Sequence, residues 1–499
     1  PNSLTTKPLV FPEGSTQMDN AEFEQYSKSF TEDRFLSVYM TGSYTYNNRY
    51  TFFGSLRYDG SNMFGVDRKY KYLPLWAVSG AWNINREAFL SDADWLSDLK
   101  LRASYGVQGN VDKDTSPLVV GEWDNTQVLP DNSESNIIVS SPPNQYLRWE
   151  KTTNWNGGLD VAVLGNRIAF TADVYRRVSD DLIGMRSLPG ENGFDYSTMN
   201  WAKLTNRGYE LSLSTVNVKT KDFRWVMDFN LAHNKSKINR LNVRDNSYEP
   251  SREGYSVGAV FSLKTAGLDE NGLQMFYNKQ GEKVSFNDFF GLEYGYMMGG
   301  LIPFLKSNLS AEEYRNLFTY EGTTEPKFTG GWINRFYYKN FDLTVSASFV
   351  LDQTVQEQPF YNPVQTSPGQ NYSRRMSQIW SPDNTSGKYP RIMGTYTEGE
   401  ENWAYQWLGM LDPGNSYRKY DYWFKKMSYM RINSIRLGYT FPERLLGHIG
   451  FSSARISFEA RNPFVFGSSY KGYFDPETYG NIYTQPLAKT FSCGIDLTF

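Results

Sequence analysis

The sequence is most informative first in what it withholds. One cysteine in 499 residues, Cys493, excludes an internal disulfide framework. Two histidines, His233 and His448, and no Gly-x-Ser-x-Gly elbow leave little for nucleophilic catalysis, so no enzyme activity, no cofactor and no metal site is expected. Paired carboxylates are too common for any one pair to stand out as glycosidic. Lys and Arg number 51 against 54 Asp and Glu, a net charge of -3, so no basic footprint points to nucleic acid. No apolar run reaches the ~18 residues of a transmembrane helix. Pro1-Asn2-Ser3-Leu4 is not a charged-then-apolar leader, so targeting information for an exported protein is expected outside this stretch.

What is abundant is aromatic rings and glycine. Aromatics make up 16% of the residues (Tyr 36, Phe 33, Trp 13), with 41 Gly, while hydrophobic residues as a whole reach only 39%. That mixture suits a turn-rich β-architecture, including one in which only every second side chain meets lipid. Period-2 alternation is the dominant pattern. At the C-terminus Phe491, Cys493, Ile495, Leu497 and Phe499 fall on one face, and Thr490, Ser492, Gly494, Asp496 and Thr498 on the other. Leu99 to Val107 alternate with Lys100 to Gln108, and Trp76 to Ile84 with Ala77 to Asn85. Phe341 to Phe349 and Ala454 to Ala460 do the same. Further runs lie near 35–46, 50–58, 145–163, 166–177, 207–219, 223–235, 255–266, 327–338 and 427–441, giving about fourteen strands.

The connections come in two sizes. Tight turns are expected at Asn47-Asn48, Leu164-Gly165-Asn166, Thr220-Lys221-Asp222 and Lys339-Asn340. Long ones are expected at 60–73, 109–144, 178–205, 236–253, 268–326, 351–422 and 462–487. Alternating short and long connections suit an outer-membrane barrel with tight periplasmic turns and long external loops. The polar faces carry Arg57, Lys100, Arg102, Asp173, Arg436, Arg455, Glu459 and Asp496, charges that a sandwich core could not hold unpaired. Tyr46, Tyr58, Trp76, Trp82, Trp225 and Tyr439 fit interfacial girdles. A soluble two-sheet protein with its charged face in water remains the alternative at this point.

Several blocks then carry a resemblance. They are Tyr58-Asp59-Gly60-Ser61, Leu73-Pro74-Leu75-Trp76-Ala77-Val78-Ser79-Gly80-Ala81-Trp82, Glu87-Ala88-Phe89-Leu90 and Leu99 through Asn110. Trp149-Glu150-Lys151-Thr152, Gly158-Leu159-Asp160, Asn166-Arg167-Ile168 and Asn206-Arg207-Gly208-Tyr209-Glu210-Leu211 follow. Last come Tyr429-Met430-Arg431-Ile432, Ile435 through Pro442, Arg461-Asn462-Pro463-Phe464 and Asp475-Pro476-Glu477. In this order they resemble the C-terminal barrel region of the SusC/RagA-type TonB-dependent transporters of Bacteroidetes, from about residue 35 to the end. The resemblance implies an all-β transmembrane antiparallel barrel in which 1–499 supplies the C-terminal ~14 strands of a 22-stranded plugged barrel. The family's plug, TonB box and first strands are not in this stretch and are expected upstream. Import of large nutrients, glycans or oligopeptides, is the implied function. A passive porin or structural barrel within a larger envelope complex is the alternative, and a secreted adhesin or glycan-degrading enzyme a third class.

The implied partners are a SusD-like surface lipoprotein as lid, TonB–ExbB–ExbD acting through the plug, outer-membrane lipid and the barrel-assembly machinery. A homodimer of SusC–SusD pairs is also compatible. The recognised face of a C-terminal assembly signal would be Phe491, Ile495, Leu497 and Phe499. The 351–422 stretch is rich in rings, including Phe360, Tyr361, Tyr389 and Tyr396. Of these rings, Tyr372, Trp380, Trp403, Tyr405 and Trp407 are candidate contacts to ligand or lid, although packing within the loop explains such rings equally well. Asp269-Glu270-Asn271-Gly272 lacks the spaced ligands of a calcium loop and reads as a turn.

Overall fold

The computed structural model describes residues 32–63, 72–113, 115, 117–129, 132–194, 196–243, 245–297, 302–394, 399–446, 450–467, 475–478 and 484–499. His448 and Tyr396 lie outside the described residues. Thirteen strands form one antiparallel sheet in simple chain order. They are β1 (Phe35–Tyr46), β2 (Tyr50–Ser61), β3 (Tyr72–Asn83), β4 (Leu96–Asn110), β5 (Glu150–Val163), β6 (Ile168–Ser187) and β7 (Tyr196–Lys219). The series continues with β8 (Phe223–Arg240), β9 (Phe328–Tyr338), β10 (Phe341–Gln356), β11 (Phe424–Thr440), β12 (Ser453–Gly467) and β13 (Thr490–Thr498). No described helix is long and apolar enough to cross a membrane.

Register turns the one-dimensional alternation into two-dimensional segregation. Tyr46 faces Tyr50, Tyr50 faces Trp82, and Trp82 faces Leu101. Leu101 faces Leu159, which faces Ala172, which faces Leu211. At the far edge Tyr439 faces Ile456, which faces Ile495. A slip of one residue in any strand would turn its whole apolar row over, so this agreement across the sheet is what specifies the pairing. The large side chains of these rows remain uncovered: Val38 is 64% exposed, Phe52 60%, Trp155 50%, Phe458 48% and Ile495 69%. A two-layer sandwich would bury them between its sheets. They are instead left uncovered on one face of a single sheet, and the soluble two-sheet alternative falls.

The opposite face is polar and internally paired. Arg102 on β4 donates to Asp160 on β5 at 2.7 and 3.0 Å, then reaches over a second strand to Asp173 on β6 at 3.1 Å. Gly158 stands between them in register, and a Cβ there would lie 2.6 Å from both the guanidinium carbon and the Asp173 carboxylate. Arg455 likewise reaches Asp342 at 2.8 Å across Gly438. Arg335 pairs with Asp228, which also accepts from Ser214 at 2.6 Å.

The turns follow the sequence. Asn47 and Asn48 both hold positive φ (52° and 55°), as do Leu164, Gly165 and Asn166, and Lys339. Connections 47–49, 84–95, 164–167, 220–222, 339–340 and 441–452 lie at one end of the sheet, and 62–71, 111–149, 188–195, 241–327, 357–423 and 468–489 at the other. Three sequence expectations change. The 255–266 run is not a strand of the large sheet: Ala259–Ser262 pairs with Thr319–Thr323, and Thr265–Leu268 with Gln274–Tyr277, inside the 241–327 connection. The 178–205 segment is mostly strand, because β6 and β7 continue as a hairpin beyond their neighbours. Val120–Leu129 and Asn132–Ser141 form a further hairpin in the 111–149 connection.

Gly158→Val should lower unfolding stability by about 1–3 kcal/mol by forcing Arg102 off Asp173. At adjacent Gly157 an added Cβ meets only ordinary contacts, at 3.7 Å or more, so Gly157→Val should change stability far less. Urea titration of the bilayer-inserted protein measures both, and equal losses would contradict the bridging role.

Candidate functional site

The two longest connections, 241–327 and 357–423, build one body at the long-connection end of the sheet. Its core is aromatic. Phe276 stacks on Phe289 at 4.2 Å and meets Tyr420 edge-on at 5.1 Å. Tyr389 stacks on Trp423 at 5.4 Å, and Phe290 contacts Trp407 at 5.6 Å. Trp423, Tyr420, Phe276 and Phe290 are fully buried. Neither connection supplies that core alone. Tyr314 donates to Asp412 at 2.8 Å, Thr265 donates to Asp421 at 2.6 Å, and Leu263 bridges Tyr420 in parallel.

Short local devices set this body in place. Ser310 and Glu313 form a capping box on the helical turn Ala311–Arg315, which presents Tyr314 to the core. The hydrogen bonds from Ser310 hold the Glu313 carboxyl below its usual range. Asp269 accepts from the backbone of Asn271 at 2.9 Å and Leu273 at 2.7 Å, so the acidic stretch does work as a turn. Gly272 (φ 78°) lies against the Trp380 ring, where a Cβ has no room. Burial pushes the phenols of Tyr417, Tyr420 and Tyr422 well above their usual value, keeping them neutral.

Among the five candidate rings, Trp380 (8% exposed) and Trp407 (4%) are packing residues of the loop body. Trp403, Tyr405 and Tyr372 are partly exposed, and Trp403 meets Tyr294 edge-on at 4.9 Å. Beneath the body, where β8, β10 and β11 leave the sheet, lies a cleft of about 670 Å³. Glu249, Arg252, Phe261, Gln356, Lys419 and Phe424 line it, and Lys419 pairs with Glu249 at 2.5 Å. Sequence reading missed this cleft, because its walls come from three separate stretches and only Phe261 and Phe424 are aromatic. On β11, Arg431 is buried against Asp475 and pairs with Glu477 at 2.7 Å, tying the Asp475-Pro476-Glu477 block of the last connection to the sheet.

Phe491, Ile495 and Leu497 point outward from β13, in register with Ala460, Ile456 and Ala454. Phe499 packs on Phe451 at 4.8 Å. His233 also faces outward, between Tyr209 and Phe328, with Nδ1 2.6 Å from the Lys327 carbonyl. Cys493 is exposed on the outward face. Trp423→Ala should remove about 3–5 kcal/mol from the loop body and leave the sheet standing. Limited proteolysis should then cut within 241–327 and 357–423 while the band of folded barrel in unheated electrophoresis persists. Simultaneous loss of that band would mean that the loop body is not an independent unit.

The family model described as "TonB dependent receptor-like, beta-barrel" matches residues 5–296. The TonB-dependent receptor P3 of Formosa agariphila is 28% identical over 95% of this chain and 46% of its own length. The TonB-dependent receptor SusC of Bacteroides thetaiotaomicron is 28% identical over 96% of this chain and 45% of its own. The chain thus spans about half the length of the curated relatives it matches. Among solved structures, the RagAB peptide transporter superposes with a TM-score of 0.70 at 23% identity, over 94% of this chain and 48% of that one. These likenesses bear out the SusC/RagA resemblance. A thirteen-stranded sheet with an uncovered apolar face, a paired polar face and this family match have one reading: the chain belongs to the TonB dependent receptor-like β-barrel family of the bacterial outer membrane.

Proposed function

We propose that this chain is the C-terminal portion of a TonB-dependent importer that carries large polar nutrients, glycans or oligopeptides, across the outer membrane. The observation that carries the reading is the shared aromatic core of the 241–327 and 357–423 connections. It makes two loops one preformed body over a polar face, with a cleft of about 670 Å³ beside it. Such a body binds and gates, and breaks no covalent bond in the cargo. Mixed polar and aromatic walls suit ring stacking on sugars or contacts to peptide backbone. The edges β1 and β13 are not hydrogen-bonded to each other, and open edges are costly in lipid. Further strands of the full-length protein would close the barrel, and its plug would receive energy from TonB–ExbB–ExbD.

The partly exposed faces of Tyr372, Trp403 and Tyr405 are the surface offered to a SusD-like lipoprotein lid or to cargo. The alternating outward row Phe491, Ile495, Leu497 and Phe499 of an edge strand is the segment offered to the barrel-assembly machinery. The test is uptake by cells expressing the full-length protein, fed glycan and oligopeptide mixtures. Trp403→Ala combined with Tyr405→Ala should reduce uptake several-fold at unchanged surface abundance, and loss of TonB should abolish it. Uptake that persists without TonB would identify a passive pore and overturn the proposal.

A further inference from the structure

Where the outward apolar rows of β6, β7 and β8 end on the long-connection side, the next row is cationic. Val174, Tyr209 and His233 form the last row without Lys or Arg, with His233 5.1 Å from Tyr209 and 5.2 Å from Phe328. Two residues further along each strand, Arg176 faces Arg207 and Arg207 faces Lys235. Lys237 follows on β8, opposite Thr205. All four cations are exposed. Among the described residues none of them is paired with a carboxylate, whereas nearby Lys203 is held by Asp180 at 2.7 Å. The inward cations Arg102, Arg335 and Arg455 are all neutralised by aspartates.

Leaving three like charges side by side on adjacent strands is unfavourable, since neighbouring strands are only ~4.8 Å apart. The arrangement is also shaped. Thr205, Arg207, Lys235, Lys237 and Asn239 line a cleft of about 270 Å³, and Thr205 donates to the Asn239 side chain at 2.5 Å. Height identifies the occupant. From Trp225 to Lys235, ten residues at ~3.3 Å with a strand tilt of ~40° give about 25 Å across the membrane. That is the height of an apolar band, so the cations stand at the level of lipid headgroups in the leaflet on the long-loop side. An anion at that depth, on the lipid-facing side, is part of a lipid.

We propose that Arg176, Arg207, Lys235 and Lys237 bind the phosphate groups of an anionic phosphorylated glycolipid in the outer leaflet. The planar guanidinium groups offer bidentate contacts and the ammonium groups mobile point charges. The apolar rows below would receive the acyl chains. This contact would anchor the β6–β7 hairpin, which projects beyond its neighbours, against the membrane surface.

The test uses the full-length protein in phosphatidylcholine nanodiscs carrying either bis-phosphorylated lipid A or the same lipid with its phosphates removed. Retained lipid is counted by native mass spectrometry. The wild type should retain the phosphorylated form, and a variant with Arg176→Gln, Arg207→Gln, Lys235→Gln and Lys237→Gln should retain at least about tenfold less. Neither should hold the phosphate-free form, and millimolar inorganic phosphate should not displace the lipid. Lys235→Gln with Lys237→Gln should fall between them, which keeps the test open if the quadruple variant does not fold. Heat-modifiable electrophoresis identifies the folded barrels. Equal retention by wild type and folded variants, or of both lipids, would overturn the proposal. So would complete displacement by inorganic phosphate, which would mark a free-anion site. Unchanged lipid with loss of the lid lipoprotein would mark a protein-docking surface and overturn it as well.

Discussion

The constraint on which the rest depends is the hydrogen-bonded backbone in a medium that offers no water. A strand can enter hydrocarbon only when its amides are satisfied by neighbours, and then its side chains divide between two media with period two. Here thirteen strands keep that division in common register, from Tyr46 beside Tyr50 to Ile456 beside Ile495. The outward rows need only be apolar and require no complementary layer. The inward rows carry charge, and pairing across strands keeps that charge from opposing the fold. Arg102 spanning Gly158 to reach Asp173 shows the device, in which a missing side chain on the middle strand lets a long one join its two neighbours.

The same constraint explains where packing is placed. A barrel wall has no hydrophobic core of its own, so tight burial moves to its loops. Trp423, Tyr420, Phe276 and Phe290 supply in the 241–327 and 357–423 connections the dense core that the sheet does not contain. Such a body is ordered by its own contacts, such as Tyr314 to Asp412, so the entropy of ordering these two connections is lost on folding. The wall supplies position and the loops supply chemistry, a common division in binding proteins.

Much of the wall was legible in the sequence because its rule is local. Alternation located the strands near Leu99, Phe341 and Phe491, and Asn47-Asn48 and Lys339-Asn340 marked their turns. The rule misled at 255–266, where Val257, Ala259 and Phe261 alternate as well but the strand partners of Ala259 and Phe261 lie in the same connection. It stopped short in β6 and β7, because Arg176, Asp180 and Arg207 interrupt the apolar row while the backbone ladder continues. The loop core was legible only as aromatic density. Which rings are inside depends on pairs such as Phe290 and Trp407, more than a hundred positions apart, and so Trp380 and Trp407 could not be told from surface rings. The cation row was hidden for a related reason: Arg176, Arg207 and Lys235 become neighbours only through register.

The most direct measurement of the central claim is a nitroxide scan along β12. With Cys493 replaced by Ser, single cysteines at Ile456, Ser457, Phe458, Glu459 and Ala460 are spin-labelled in the bilayer-inserted full-length protein. Collision with oxygen, which concentrates in hydrocarbon, and with a water-soluble nickel chelate should alternate out of phase with period two, oxygen dominating at 456, 458 and 460. Uniform access of the nickel chelate at all five positions would contradict the membrane placement of the sheet and everything built on it.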